Sequence, residues 1–257
     1  KLVDLIEDLL HSAGISEDRL KGVGVGAAGV VNHEDGVLRH SPYFGWKDVP
    51  LRTMIQDRLD VSVSVDNDVN TLTLFEKLFG EEDAQDFLTI TVGRGIGMGI
   101  VVNGQLYRGA GGGAGELGHS VVDPNGPVCS CGKHGCLETY LSEPALVSAA
   151  REAALTLDGH ALESVDDLLD LVHSGNDEAE TILLNAAELL GRYAAILVNV
   201  FDPGLIIFSG EGTQYGVPFF NEVERSLRLH SIPGLAENTQ IRIDEWGDDA
   251  WARGAAG

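Results

Sequence analysis

Four apolar or β-branched runs, at 22–26, 61–65, 87–92 and 205–209, each end in a glycine or an acidic turn, and helical patterns alternate with them. Such alternation predicts an α/β architecture with ligand-facing loops at the strand ends. Leu2, Ile6, Leu9 and Leu10 repeat at helical spacing before Gly14, and further helices are predicted over 50–58, 69–79 (stopped by Gly80) and 177–199. The glycines between Gly22 and Gly29 predict close approach of another backbone or a ligand. Asn103-Gly104 predicts a primed turn joining 99–103 to 105–107. A short strand near 240–244 and a helix from Asp248 complete the pattern.

With 257 residues, 44% apolar and 22% charged, the chain can bury one large core or two modest ones. The polar stretch Glu81-Glu82-Asp83-Ala84-Gln85-Asp86 predicts a domain boundary. No unbroken apolar run approaches the roughly 20 residues of a membrane span, and no basic and apolar leader opens the chain, so neither a membrane protein nor a secretory signal is expected. Forty acids against seventeen bases give a net charge of −23 with no basic stripe, which argues against direct binding of nucleic-acid phosphates by these residues.

All three cysteines fall in Cys129-Ser130-Cys131-Gly132-Lys133-His134-Gly135-Cys136, too few and too crowded for a disulfide framework. Three thiolates at this spacing predict a metal knuckle in a reducing cytosol, and tetrahedral zinc needs a fourth ligand. His119, ten residues upstream, is the nearest candidate; His134, inside the knuckle, is its competitor. Four protein ligands leave no open position, so such a metal is structural.

A carboxylate in Asp66-Asn67-Asp68 at a strand end can act as a general base toward a hydroxyl, and an Asn amide both donates and accepts. Equally, Asp68 can cap the helix at 69–79. The glycine turns at 93–99 and 210–212 can offer backbone N–H groups to a phosphate, or simply close a tight connection.

Together, Asp66-Asn67-Asp68-Val69-Asn70, the 93–99 turn, Glu116-Leu117-Gly118-His119 and Cys129-x-Cys131-Gly132-x-x-Gly135-Cys136-x-Glu138 closely resemble the ROK family of repressors, open reading frames and sugar kinases. The resemblance implies an actin-like ATPase fold (hexokinase-like, ribonuclease H-like): a smaller lobe over 1–82, joined by a helix at 246–257, a larger lobe over 83–245 bearing the knuckle, and a cleft between. It further implies that Gly29, Asn67, Asp68, Glu116, His119 and Glu138 serve a sugar, with Asp68 the catalytic base in kinases. His119 would turn one ring nitrogen to zinc and the other to the sugar, the metal ligands being His119, Cys129, Cys131 and Cys136.

The nucleotide side differs from the family's kinases. No Asp-x-Gly-Gly-Thr phosphate turn occurs, and the antiparallel strands expected before helix 1–13 are missing, so Lys1 is not expected to be the native start. Gly93-Arg94-Gly95-Ile96-Gly97 replaces a Gly-Thr-Gly-Ile-Gly pattern, and Gly210-Glu211-Gly212 puts a carboxylate where kinases have glycine. These changes, with Gly45-Trp46-Lys47-Asp48-Val49-Pro50-Leu51 and Gly247-Asp248-Asp249-Ala250-Trp251-Ala252-Arg253-Gly254, resemble the regulator branch. The expected function is a cytoplasmic, homo-dimeric or tetrameric, sugar-sensing effector domain whose DNA-binding helix-turn-helix lies before residue 1. The alternative is an ATP- and Mg2+-dependent hexose or N-acetylhexosamine kinase of the glucokinase type.

Overall fold

The helical leucines at the start form α1 (Leu2–Ser12), which ends in a turn at Gly14, where φ is +65°. The structure is a computed structural model that describes residues 2–80, 84–245, 247 and 249–257. The connector Glu81-Glu82-Asp83, the start at Lys1, Trp246 and the predicted helix start at Asp248 lie outside the described residues. The chain separates into two units, Lys1–Asp83 with Gln105–Gly115 and Gly247–Gly257, and Ala84–Gly104 with Glu116–Trp246.

In the first unit, β1 (Gly22–Ala27) is followed by β2 (Val30–Asn32), β3 (Val37–Ser41), β4 (Trp46–Val49), α2 (Leu51–Gln56), β5 (Ser62–Asn67) and α3 (Asp68–Phe79). β1 and β5 pair in parallel from Gly22↔Ser62 to Ala27↔Asn67, while β2, β3 and β4 form an antiparallel sheet. The serine–valine alternation of β5 turns Val63 and Val65 inward and leaves Ser62 and Ser64 exposed, as period two requires. Those valines join Val31, Leu38, Leu51, Ile55 and Leu59 in one core. Helix α3 ends at Gly80, as expected.

The second unit begins with β6 (Phe87–Val92) and β7 (Ile96–Val102), after which Asn103 and Gly104, with φ of +52° and +68°, make the predicted primed turn toward β8 (Gln105–Leu106). The glycine turn expected over 93–99 is shorter: β6 and β7 pair up to Val92↔Ile96, so Ile96–Gly99 is strand and 93–95 alone turns. There follow α4 (Glu138–Leu141), α5 (Glu143–Glu152), a small hairpin of β9 (Thr156–Leu157) and β10 (His160–Ala161), α6 (Val165–His173), α7 (Asp177–Phe201), β11 (Leu205–Ser209), α8 (Gly216–His230), α9 (Leu235–Asn238) and β12 (Gln240–Ile243). Strands run in the order β12-β11-β6-β7, with β11 parallel to both β6 and β12. Every residue of β6 and β11 is buried, the pattern of strands covered on both faces.

Helix α7 corrects the expectation that nothing here matches a membrane span. By length and composition it could cross a bilayer, although dispersed polar residues hide it from a search for unbroken apolar runs. Half of its apolar window is buried, and it packs along α8, as a core helix does.

Helix α10 (Asp249–Ala256) belongs to the first unit, where it packs on α3 and β1, with Arg253 lying over the Phe75 and Phe79 rings at 5.0 and 5.1 Å. Residues 105–115, expected within the larger lobe, also belong to the first unit, because Gly112 presses on the Val31 backbone and Arg108 pairs with Asp66.

Candidate functional site

In the first unit the site begins where β5 passes into α3 without an intervening loop. Asn67 is extended (φ −62°, ψ 145°) and caps α3, its Oδ1 accepting the Asn70 N–H at 3.1 Å, while its Nδ2 donates to the Gly29 carbonyl at 3.0 Å. The cap is therefore Asn67, not Asp68 as the capping alternative held. Asp68 is the first helical residue, half-buried, with Oδ1 accepting the Val69 N–H at 2.9 Å, a place where the helix dipole favours a carboxylate. Gly29 has a φ of +130°, and a Cβ there would overlap the His40 carbonyl and come within 3.0 Å of Ser41 Cα. Gly29, Asn67 and Asp68 thus lie together.

Asp66 has a different part. It is 4% exposed; Oδ1 accepts the Asn67 N–H at 2.8 Å and Asn70 Nδ2 at 2.9 Å, and Oδ2 accepts Arg108 Nε at 2.7 Å. His33 Nδ1 stands 3.6 Å from the same Oδ2. Asp66 holds the turn rather than serving a ligand, and Arg108 and His33, which no sequence pattern singled out, are its supports.

In the second unit, Leu117–His119 forms a single 3-10 turn pressed onto β7, where a Cβ on Gly118 would overlap the Ile96 carbonyl. Glu138 opens α4 and its Oε2 accepts the Ile96 N–H at 3.3 Å. His119 Nε2 is 3.7 Å from Glu116 Oε2, so Glu116, His119 and Glu138 gather around the start of β7.

On the other side of the ring, His119 Nδ1 is 3.5 Å from Cys129 Sγ, and the Cys131 and Cys136 sulfurs are 3.7 Å apart; all four donor atoms lie within 4.8 Å of one another. Zn–S bonds of about 2.3 Å and a Zn–N bond of about 2.0 Å give tetrahedral edges of about 3.8 Å between sulfurs and about 3.5 Å between sulfur and nitrogen. The donor set and its spacing fit, and the group could hold a metal ion. The knuckle folds through Cys129 N–H donating to the Lys133 carbonyl at 2.8 Å, and Lys133 Nζ donates to the His119 carbonyl at 2.7 Å. His134 lies outside the group, exposed, with Nδ1 3.2 Å from the Gly126 carbonyl. Burial and the neighbouring sulfurs push the Cys136 thiol up to about 12. Burial also works against Cys131, but the Lys133 backbone and the other two cysteines outweigh it and hold that thiol below its usual range.

The turn at 93–95 is lined by charge. A Cβ on Gly93 would overlap Glu211 Oε2, so the Glu211 carboxylate lies against it, and the Glu143 N–H donates to the Gly93 carbonyl at 2.9 Å. Burial and the Glu211 charge raise the Glu143 carboxyl, with Arg94 pulling the other way and Asp166 adding to the rise. Burial and the charges of Glu143, Glu211 and Asp166 raise the buried Tyr215 phenol, whose hydroxyl has no partner among the described residues. The sequence foresaw Glu211 and Arg94 here; it gave no sign of Glu143.

A family model described as the ROK family matches residues 1–257. The chain is 32% identical to a xylose repressor from Caldicellulosiruptor bescii, over 97% of this chain and 65% of that protein. It is also 32% identical to a glucokinase from Halalkalibacterium halodurans, over 97% of this chain and 79% of that one. It thus spans just under two thirds of the repressor's length. Among solved structures, a ROK family glucokinase from Streptomyces griseus in complex with glucose and AMPPNP superposes with TM-score 0.83 at 30% identity, over 99% of this chain and 86% of that one. A ROK family transcriptional regulator, homolog of the Escherichia coli MLC protein, superposes with TM-score 0.86 at 29% identity, over 99% and 66%. The fold is the actin-like ATPase fold of these proteins, and the chain belongs to the ROK family.

Proposed function

We propose that the chain is the sugar-binding effector part of a ROK transcriptional regulator that meets DNA through a helix-turn-helix before residue 1. The observation that carries this reading is the charge around Gly93. The Glu211 carboxylate lies against the turn that would have to accept nucleotide phosphates, the Glu143 N–H donates to the same turn, and the Glu143 carboxyl feels the charges of Glu211, Arg94 and Asp166. Each exposed carboxylate opposes an anionic nucleotide by about 1 kcal/mol, and a desolvated one by more.

In this reading Gly29, Asn67, Asp68, Glu116, His119 and Glu138 serve the sugar, the carboxylates accepting from its hydroxyls. Rigid polar groups of this kind discriminate against the wrong epimer by leaving a donor or acceptor unpaired. Zinc on Cys129, Cys131, Cys136 and His119 serves structurally: it fixes the His119 ring and ties down the loop that leads to Glu138. The protein works in the cytoplasm as a homo-dimer or tetramer, and sugar binding shifts the population of the DNA-competent state.

The second reading, an ATP- and Mg2+-dependent hexose or N-acetylhexosamine kinase, is favoured by Asp68. It is a half-buried carboxylate at a helix N-terminus, placed to take a proton from an acceptor hydroxyl, and the match to the glucokinase is equally close.

The decisive experiment titrates the zinc-loaded chain with glucose, xylose, N-acetylglucosamine and N-acetylmannosamine by calorimetry and follows ADP release from Mg-ATP in parallel. One sugar should bind, Asp68→Asn should weaken it at least tenfold, and no sugar should stimulate ADP release. Sugar-dependent ADP release abolished by Asp68→Asn would establish the kinase instead.

A further inference from the structure

The turn between β3 and β4 carries three aromatic side chains that none of the polar chemistry above employs. Tyr43, Phe44 and Trp46 are 69%, 46% and 44% exposed. They are not scattered: Phe44 and Trp46 stack with centroids 4.9 Å apart and planes 29° from parallel, and Tyr43 meets Phe44 edge-on, also at 4.9 Å. Three exposed rings joined through Phe44 form an apolar patch, which in a folded protein marks a surface that something covers.

Their position says what. Ser41 is register partner to Trp46, and Ser41 Oγ accepts the Phe44 N–H at 3.4 Å, so the turn is held at its base by Ser41. Ser41 and the His40 carbonyl are also the atoms packed against Gly29, whose own carbonyl accepts from Asn67 Nδ2. The patch therefore begins two residues beyond Ser41, which packs against Gly29, and is mounted on the β2-β3-β4 sheet. Next to groups that hydrogen-bond hydroxyls, a flat aromatic surface suits the C–H face of a second sugar ring, which is apolar in its middle and polar at its rim. A membrane or a basic partner would call for flanking charge of one sign, whereas Lys47 and Asp48 adjoin the rings with opposite charges.

Resting on the sugar-binding reading above, we propose that Tyr43, Phe44 and Trp46 form a second carbohydrate subsite, so that the effector is an oligosaccharide rather than a free monosaccharide. The polar set holds the first ring; the aromatic lip stacks the second.

The test titrates the full zinc-loaded chain, wild type and Trp46→Ala, with each monosaccharide of the panel above, with its α- and β-linked disaccharides and with its aryl glycosides. The disaccharide arm and the aryl arm separate a saccharide second ring from an aromatic one. For the wild type, one disaccharide should bind about tenfold tighter than its monosaccharide, the amount one stacked ring supplies. Trp46→Ala should remove that advantage and leave the monosaccharide affinity unchanged, and Trp46→Phe should restore most of it. Tighter binding of aryl glycosides alone would overturn the saccharide assignment. A monosaccharide that binds as well as every glycoside, or equal weakening of both by Trp46→Ala, would overturn the subsite while leaving sugar binding in place. A change of oligomeric state in Trp46→Ala would show that a second copy covers the rings. Absence of binding by any sugar would refute the sugar reading itself.

Discussion

The Asp66–Arg108 pair should be what keeps the Asn67-Asp68 turn in register. Among the described residues, Asp66, its side chain 5% exposed, accepts from three donors, of which the Arg108 guanidinium, at 2.7 Å, is the cationic one. Arg108→Met removes that donor and its charge while keeping the length of the side chain. Breaking a fully buried ion pair from one side costs about 3–5 kcal/mol, because the remaining charge is stranded. Arg108 itself is 27% exposed, so water can reach the vacated position and the lower end applies, about 3 kcal/mol. For a chain of this size that is a fall of about 6 °C in Tm. Urea melts of wild type, Arg108→Met, Asp66→Asn and the double variant, read at constant m-value, give the coupling energy, expected at about 2 kcal/mol. Sugar affinity should fall with Arg108→Met and recover in part with Arg108→Lys, since the turn depends on the cation. An Arg108→Met protein within about 0.5 kcal/mol of wild type would refute the reasoning, for it would mean that Asp66 is solvated without its partner.

Two further outcomes follow from the second unit. Cys131→Ser should bring bound zinc from one equivalent to near zero after dialysis, and a chelator should lower the Tm of wild type but not of this variant; equal chelator sensitivity in both would remove the knuckle as the metal site. Glu143→Gln should stabilise the protein at neutral pH, because burial and the Glu211 charge raise the Glu143 carboxyl in the folded state. A raised carboxyl binds its proton more tightly folded than unfolded, so its favourable contribution is complete below the unfolded value of about 4.3 and is lost as pH climbs through the folded value. The Tm gain of Glu143→Gln should therefore be absent below about pH 4 and grow to a plateau above the folded value. A gain independent of pH would show that packing, not charge, is responsible.

Much of the fold was legible because its signals are local. The serine–valine alternation at 61–65 needs nothing beyond period two to declare a half-buried strand, and Gly14, Gly80 and the Asn103-Gly104 pair stop or turn the backbone by their own φ preferences. The knuckle was legible because three thiols within eight residues must converge wherever they are placed. The capping role was misplaced by one residue, since Asp and Asn are interchangeable at an N-cap as far as propensity goes. What selects Asn67 is the Gly29 carbonyl 38 residues away, which takes the amide N–H that a carboxylate could not offer.

The sequence by itself determined the period of each element, the cysteine cluster, and the family to which those motifs belong. Only the tertiary structure decided that His119 and not His134 joins the cysteines, that Asp66 is a buried support held by Arg108, and that the Glu143 N–H and the Glu211 carboxylate both lie against Gly93. It also decided that Tyr43, Phe44 and Trp46 stack in the open. These are contacts between residues close in space and, in most cases, far apart in the chain. A sequence pattern carries the propensity of neighbours, whereas the partner that fixes a buried charge or a ligand atom is set by how strands and helices pack.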